Sequence, residues 1–82
     1  MVWRETTEKI LEFGGGLVET TINLRRIGQS VGGDHDSTSR VMLRQAAENL
    51  AGAVKVAEDG GLDRSVIKKA ILRGRRRYKV YP

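Results

Sequence analysis

The chain has 82 residues, no cysteine and only 5% aromatic residues, which excludes disulfides and thiolate metal sites and predicts a small aliphatic core. No apolar run approaches the roughly 18 residues of a membrane-spanning helix, and no signal-peptide pattern opens the chain. We therefore expect a soluble protein, inside the cell or inside an assembled particle, that gains stability by self-association.

The net charge of +5 is distributed unevenly along the chain. Residues 1–63 carry seven basic and ten acidic side chains, whereas residues 64–82 carry eight basic side chains and no acidic one. This concentration of positive charge predicts a polyanionic partner: nucleic acid, an acidic membrane surface or an acidic protein face. The opposite charges of the two parts also permit head-to-tail pairing between neighbouring copies.

A heptad pattern over residues 3–31 predicts one long helix. Seven of its nine a and d positions are apolar and the other two are threonine, so this helix is expected to bury a seam against a partner. Because the apolar surface is too wide for a single helix to cover, the pattern predicts a homo-oligomer. The expected interface residues are Trp3, Ile10, Phe13, Gly14, Leu17, Val18, Leu24, Ile27 and Val31.

The triplet Gly14-Gly15-Gly16 interrupts this helix with residues of low helix propensity. Each glycine costs about 1 kcal/mol relative to alanine in a helix interior. Either the helix breaks here, or it continues and the glycines permit close contact with another helix. The heptad phase is the same on both sides of the triplet, which favours the continuous helix.

Glycine, aspartate and serine residues, which favour turns and helix ends, indicate the boundaries of the remaining secondary-structure elements. Residues 32–39 are expected to form a loop between antiparallel helices, residues 40–59 an alanine-rich helix, and residues 63–74 a basic helix with Asp63 as its N-cap. Residues 75–82 are expected to form an extended basic arm. The predicted fold is one all-α domain over residues 1–82: an antiparallel helical hairpin and a short basic C-terminal helix, packed as a homo-oligomeric bundle or array.

The basic C-terminal segment is the candidate functional site. Guanidinium groups bind phosphate in a bidentate way, and a tyrosine among them is suited to stack on bases. The candidate nucleic-acid-binding residues are Arg64, Lys68, Lys69, Arg73, Arg75, Arg76, Arg77, Tyr78 and Lys79.

No other motif indicates chemistry. Asp34-His35-Asp36 lacks a further ligand nearby and is expected to be a solvated capping segment, so we expect no metal site, no cofactor and no enzymatic activity. The sequence therefore favours a non-enzymatic nucleic-acid-binding oligomer. The alternative is a structural subunit of a filament, shell or virion whose basic tail lines a lumen or contacts packaged nucleic acid.

Overall fold

The computed structural model of the protein describes residues 2–31 and 34–77, with the side chains of residues 2–31 and 37–77. Over these ranges the all-α prediction is confirmed. The described residues form three helices, α1 (Val2–Val31), α2 (Asp34–Asp59) and α3 (Arg64–Arg77). Helix α2 packs on α1 in a hairpin-like arrangement, and α3 also packs on α1, so that the longest helix supports the other two.

Helix α1 continues through the glycine triplet because two helices contact it there. A Cβ atom at Gly14 would lie 3.0 Å from Cδ1 of Leu50 on α2, and a Cβ atom at Gly15 would collide with the main-chain carbonyl of Ile71 on α3. The low helix propensity of glycine is thus offset by close packing on both sides. The triplet is a crossing point of helices rather than a hinge.

Helix α2 begins earlier than predicted, and the expected loop over residues 32–39 is corrected for residues 34–39, while residues 32 and 33 lie outside the described part of the chain. Residues 34–39 are helical, and Ser39 is buried close to Gly28 of α1, with which it lines the same cleft. Small residues at this end let α2 lie against α1. Aspartate and serine favour the first turn of a helix as well as a loop, so local sequence alone did not distinguish the two.

The turn between α2 and α3 follows known capping rules. Gly61 has a φ of 91°, its N–H group donates to the carbonyl oxygen of Glu58 (3.0 Å), and the N–H group of Leu62 donates to that of Ala57 (3.0 Å). This pattern is a Schellman motif, which needs glycine at the left-handed position. Asp63 then caps α3, because its Oδ1 atom accepts a hydrogen bond from the N–H group of Ser65 (3.1 Å).

Helix α3 extends three residues beyond its predicted end at Gly74. Residues 75–77 are helical, so the expected arm over residues 75–82 is corrected for them, while residues 78–82 lie outside the described part of the chain. Gly74 is buried against α1, where a Cβ atom would collide with the carbonyl of Glu12. Contact with α1 on both sides of Gly74 therefore keeps the last turn helical.

The core lies where the three helices meet and is small. Among the described residues, Leu11 is the largest side chain that is completely buried, and Ala57, Ile67 and Ala70 pack around it. Helices α2 and α3 hardly touch each other. Because α2 and α3 both pack on α1 but make few contacts with each other, a groove remains between them.

Candidate nucleic-acid interface

Helix α3 positions most of the predicted basic site, and an apolar stripe on its inner side fixes its orientation. Ile67, Ala70 and Gly74 are buried against the rest of the chain. Because a helix turns by about 100° per residue, the remaining positions point sideways or outward. The cations of α3 therefore divide into those that face α1 and those that face solvent.

Three arginines of α3 bind glutamates of α1. Arg73 donates from Nε to Glu12 (3.1 Å) and from Nη2 to Glu8 (3.1 Å). Arg75 places Nη2 2.9 Å from Oε1 of Glu19. Together with a contact between Arg77 and Glu12, these ion pairs hold α3 along one side of α1. We call these acids the glutamate row: Glu8, Glu12 and Glu19.

Glu12 is the central member of the glutamate row. Its side chain is only 10% exposed, and Oε1 lies 3.8 Å from Nη1 of Arg77 in addition to its bond with Arg73. A carboxylate that is largely removed from water is costly unless a cation compensates it. The hydrogen bond to Glu12 is the main cause that raises the pKa of Arg73 above its ordinary value. Partial desolvation opposes this effect, and the bond to Glu8 adds to it.

The outward side of α3 carries cations of a different kind. Lys68, Lys69 and Arg76 are exposed and form no ion pair with any residue in the described part of the chain. Lys69, Leu72 and Arg76 follow a spacing of three and four residues, so they lie on the same side of the helix, with Lys68 beside them. We call this surface, made of Lys68, Lys69, Leu72 and Arg76, the outer face of α3.

The remaining predicted site residues, Arg64, Tyr78 and Lys79, are not part of the outer face. Arg64 lies at the start of α3, where its side chain is 91% exposed and approaches Glu58 at 3.5 Å. An ion pair this exposed contributes little to stability, so Arg64 remains accessible to a ligand. Tyr78 and Lys79 lie outside the described residues. The structure thus places three cations on the outer face, three in contact with the glutamate row, and Arg64 at the start of the helix beside Glu58.

The glutamate row was not anticipated from the sequence, although a signal for it exists. Glu8, Glu12 and Glu19 are spaced by four and seven residues, which places them on one side of a helix, away from the apolar seam. Arg73 and Arg77 show the same spacing of four on α3. Two such patterns of opposite charge favour a helix–helix contact within one chain as well as the head-to-tail pairing between copies.

The predicted interface residues of α1 divide into two groups. Gly14 and Val18 are half-buried, and Gly14 contacts α2 within the same chain. Trp3 extends over Gly60 at the turn after α2. The other six side chains are 42–66% exposed. We call them the apolar ridge: Ile10, Phe13, Leu17, Leu24, Ile27 and Val31.

Two further features bear on the kind of site. No helix in the described ranges has a stretch long and apolar enough to cross a membrane. Among the described residues, no three histidine, cysteine, aspartate or glutamate side chains form a group able to hold a metal ion. The side chains of Asp34, His35 and Asp36 lie outside that description.

Comparisons with protein-family models, with curated proteins and with solved structures find no match for this chain. Its function is therefore inferred from its own residues and their arrangement.

Proposed function

We propose that the protein binds nucleic acid without catalysing a reaction, through the outer face of α3 and the basic residues that follow it. The observation that carries the proposal is the outer face itself. Lys68, Lys69 and Arg76 are exposed together on one side of α3, with no acidic partner among the described residues. Cations arranged along one surface without internal partners are suited to a row of phosphates.

The ion pairs with the glutamate row refine this proposal. Arg73, Arg75 and Arg77 contact acids of α1, and binding a phosphate would require them to give up or share those contacts. The outer face supplies the first contacts in the proposed complex, and Arg64, Tyr78 and Lys79 extend it at either end. Self-association would bring several such faces together and raise the avidity of weak individual contacts.

The test is a salt series of binding to random-sequence duplex DNA. A protein that neutralises six phosphates shows a slope of about −5 for log K against log salt. In a variant with Lys68→Gln, Lys69→Gln and Arg76→Gln, the slope should become less steep by about 3, since each lost phosphate contact contributes about 0.9. An unchanged slope would remove the outer face from the binding site.

A matched control separates a specific surface from overall charge. The variant with Lys9→Gln, Arg26→Gln and Arg44→Gln loses the same three charges from exposed positions on α1 and α2. It should retain a slope close to that of the unaltered protein. If both triple variants lose affinity equally, binding depends on net charge and not on α3.

A shortened chain tests the last two candidate residues. A chain that ends at Arg77 keeps every described helix and removes residues 78–82, among them Tyr78, Lys79 and the second tyrosine, Tyr81. If these residues contribute a stacking platform and a phosphate contact, affinity for single-stranded nucleic acid should fall by more than affinity for duplex DNA. Equal affinity of the two chains for both ligands would confine the site to α3.

The second candidate function is a structural subunit of a filament, shell or virion. The observation that favours it is the apolar ridge, which remains exposed along α1 although it contains some of the largest apolar side chains of the protein. Exposed apolar surface of this kind typically marks a contact with another protein. Particle mass measured across protein concentration distinguishes the two candidates. A small fixed oligomer favours the first, and continued growth favours the second.

A further inference from the structure

The apolar ridge has a complementary surface on the opposite side of the molecule. Leu11 and Gly15, which lie beneath α2 and α3, point away from Leu17 and Leu24 of the ridge, because helical positions are separated by 100° per residue. The groove between α2 and α3 therefore opens on the side of the molecule that the ridge does not occupy.

This groove has apolar walls in two connected parts. One part, of about 690 Å³, is lined by Val18 of α1 and by Ala47, Leu50, Ala51 and Val54 of α2. The other part, of about 310 Å³, continues from Val54 to apolar residues of α3, and both parts include Glu58. Two small alanines on the α2 wall leave room for another helix to approach. We call the two parts together the α2/α3 groove; its α3 wall consists of Ile67, Ile71 and Leu72.

The ridge and the groove match in length and polarity. The whole ridge from Ile10 to Val31 extends about 32 Å. Its part from Ile10 to Leu24 is about 21 Å long and matches the α2 wall from Ala47 to Asp59, which extends about 18 Å. The ridge positions hold no charged side chain, and Thr20 is the single polar residue at the heptad positions between its ends. The charged side chains that line the groove are all exposed to water, and Glu58, which lines both parts, lies 3.5 Å from Arg64. The others are Lys55, Asp59 and Lys68.

The area is also appropriate for a contact between two copies. The four side chains from Ile10 to Leu24 are 42–59% exposed and present roughly 350 Å² of apolar surface, a substantial part of the roughly 800 Å² that one partner buries in a standard interface. Pairing one ridge with another ridge would leave the groove open. Pairing a ridge with a groove covers both apolar surfaces with a single kind of contact.

We infer that the ridge of one copy inserts into the α2/α3 groove of the next copy. This contact rests on the self-association proposed above and defines its geometry. It is heterologous, since the two copies use different surfaces, and each bound copy still offers one free ridge or one free groove. Unless the rotation between copies closes a ring, such a contact propagates into an open-ended assembly.

Two variants, each defective in one surface, test the inference. The ridge variant carries Leu17→Glu and Leu24→Glu, and the groove variant carries Ala47→Glu and Ala51→Glu. All four positions are exposed in the single chain, so both variants should keep the helical circular dichroism of the unaltered protein. Each variant alone should remain a monomer of 9.1 kDa, whereas the unaltered protein should associate, either into a closed ring or into an open-ended assembly.

The mixture of the two variants gives the decisive result. The mutated ridge cannot insert into a groove. The groove variant keeps an intact ridge, however, and this ridge can insert into the intact groove of the ridge variant. The mixture should therefore form a 1:1 dimer of twice the monomer mass that does not grow further. A control with Ala47→Ser and Ala51→Ser, which adds no charge at the same positions, should assemble like the unaltered protein.

Other outcomes overturn the inference in distinguishable ways. If the groove variant alone associates as the unaltered protein does, the copies pair through the ridge only. In that case the protein self-associates, but the heterologous geometry is wrong. If the mixture stays monomeric although the unaltered protein associates, ridge and groove do not meet. If the unaltered protein is monomeric at all concentrations, both the inference and the proposed self-association fail.

Discussion

The two sides of α1 differ in the size of their side chains. The positions covered by α2 and α3 hold small residues, among them Thr7, Gly15 and Gly28, whereas the neighbouring strip of the helix exposes Phe13 and Leu17. A folded monomer usually has the reverse arrangement, with large apolar side chains inside. The comparison indicates that the small residues serve contacts within the chain, where helices approach closely, and that the large residues remain exposed on the surface.

The buried threonines show how the inner side accommodates polar atoms. The hydroxyl group of Thr7 donates to the carbonyl oxygen of Trp3, and that of Thr21 to the carbonyl oxygen of Leu17, each at 2.7 Å. A threonine satisfied by its own helix buries little volume and leaves no unpaired hydroxyl group. Inner positions can therefore be polar in composition and still pack tightly.

The largest expected effect comes from placing the same charge on each side of α1. Leu11→Asp would bury a carboxylate at a position with 0% exposure and should cost more than about 4 kcal/mol of unfolding free energy, enough to abolish folding. Leu17→Asp lies on the ridge and should leave the helices intact while reducing particle mass to that of a monomer. Circular dichroism and light scattering measure the two results. Loss of helix in Leu17→Asp would show that the ridge belongs to the core of the monomer.

A smaller effect is expected at the closest helix crossing. In Gly74→Ala the new Cβ atom would collide with the carbonyl of Glu12, so α1 and α3 must separate, at a cost of about 3 kcal/mol. Thermal unfolding should shift downward by more than about 12 °C. Gly52→Ala is the matched control, since a Cβ atom there meets no other atom within 4 Å, and it should stabilise the helix by about 1 kcal/mol. Equal melting temperatures for the two variants would contradict the close crossing.

Removing the glutamate row should alter the salt dependence of DNA binding. With Glu8→Gln, Glu12→Gln and Glu19→Gln, the arginines facing α1 lose their charged partners and become available to phosphate. The salt slope of duplex DNA binding should become steeper by up to about 3, because as many as three more phosphates are neutralised.

The control for this variant removes the same charge elsewhere. Glu5→Gln, Glu48→Gln and Asp59→Asn neutralise three exposed acids that form no ion pair with a described residue. This variant should bind somewhat more tightly through net charge, with the slope unchanged. An identical slope in the two acid variants would mean that the glutamate row does not compete with phosphate for the arginines.

The smallest effect on stability is expected near the N-terminus of α1, where Trp3 lies over Gly60. A Cβ atom in Gly60→Ala would meet the outer edge of the indole ring, and the ring can rotate aside at little cost. Stability should therefore change by less than about 1 kcal/mol, while tryptophan fluorescence shifts because the ring becomes more exposed to water. Since Trp3 is the only tryptophan, the signal is specific, and an unchanged spectrum would argue against the contact with Gly60.

Part of the candidate site could be read from composition, and part could not. The excess of cations after residue 63 identifies the basic helix, and Asp63 and Gly61 mark its start and the turn before it, because capping and charge are local properties. Which cations remain available depends on what α3 lies against. Arg73 and Arg76 are three residues apart and of identical chemistry, yet Arg73 binds Glu8 and Glu12 and Arg76 faces solvent.

The sequence by itself determined the helical class, the long first helix and the polarity of charge along the chain, since periodicity, capping and composition act over a few residues. Only the tertiary structure decided the roles of the glycines and the seam. Gly14 and Gly15 contact α2 and α3, and the heptad seam faces outward as the apolar ridge. The reason is that a heptad pattern specifies a surface suited to burial, whereas the choice of the surface that a neighbouring helix covers depends on how closely two backbones can approach.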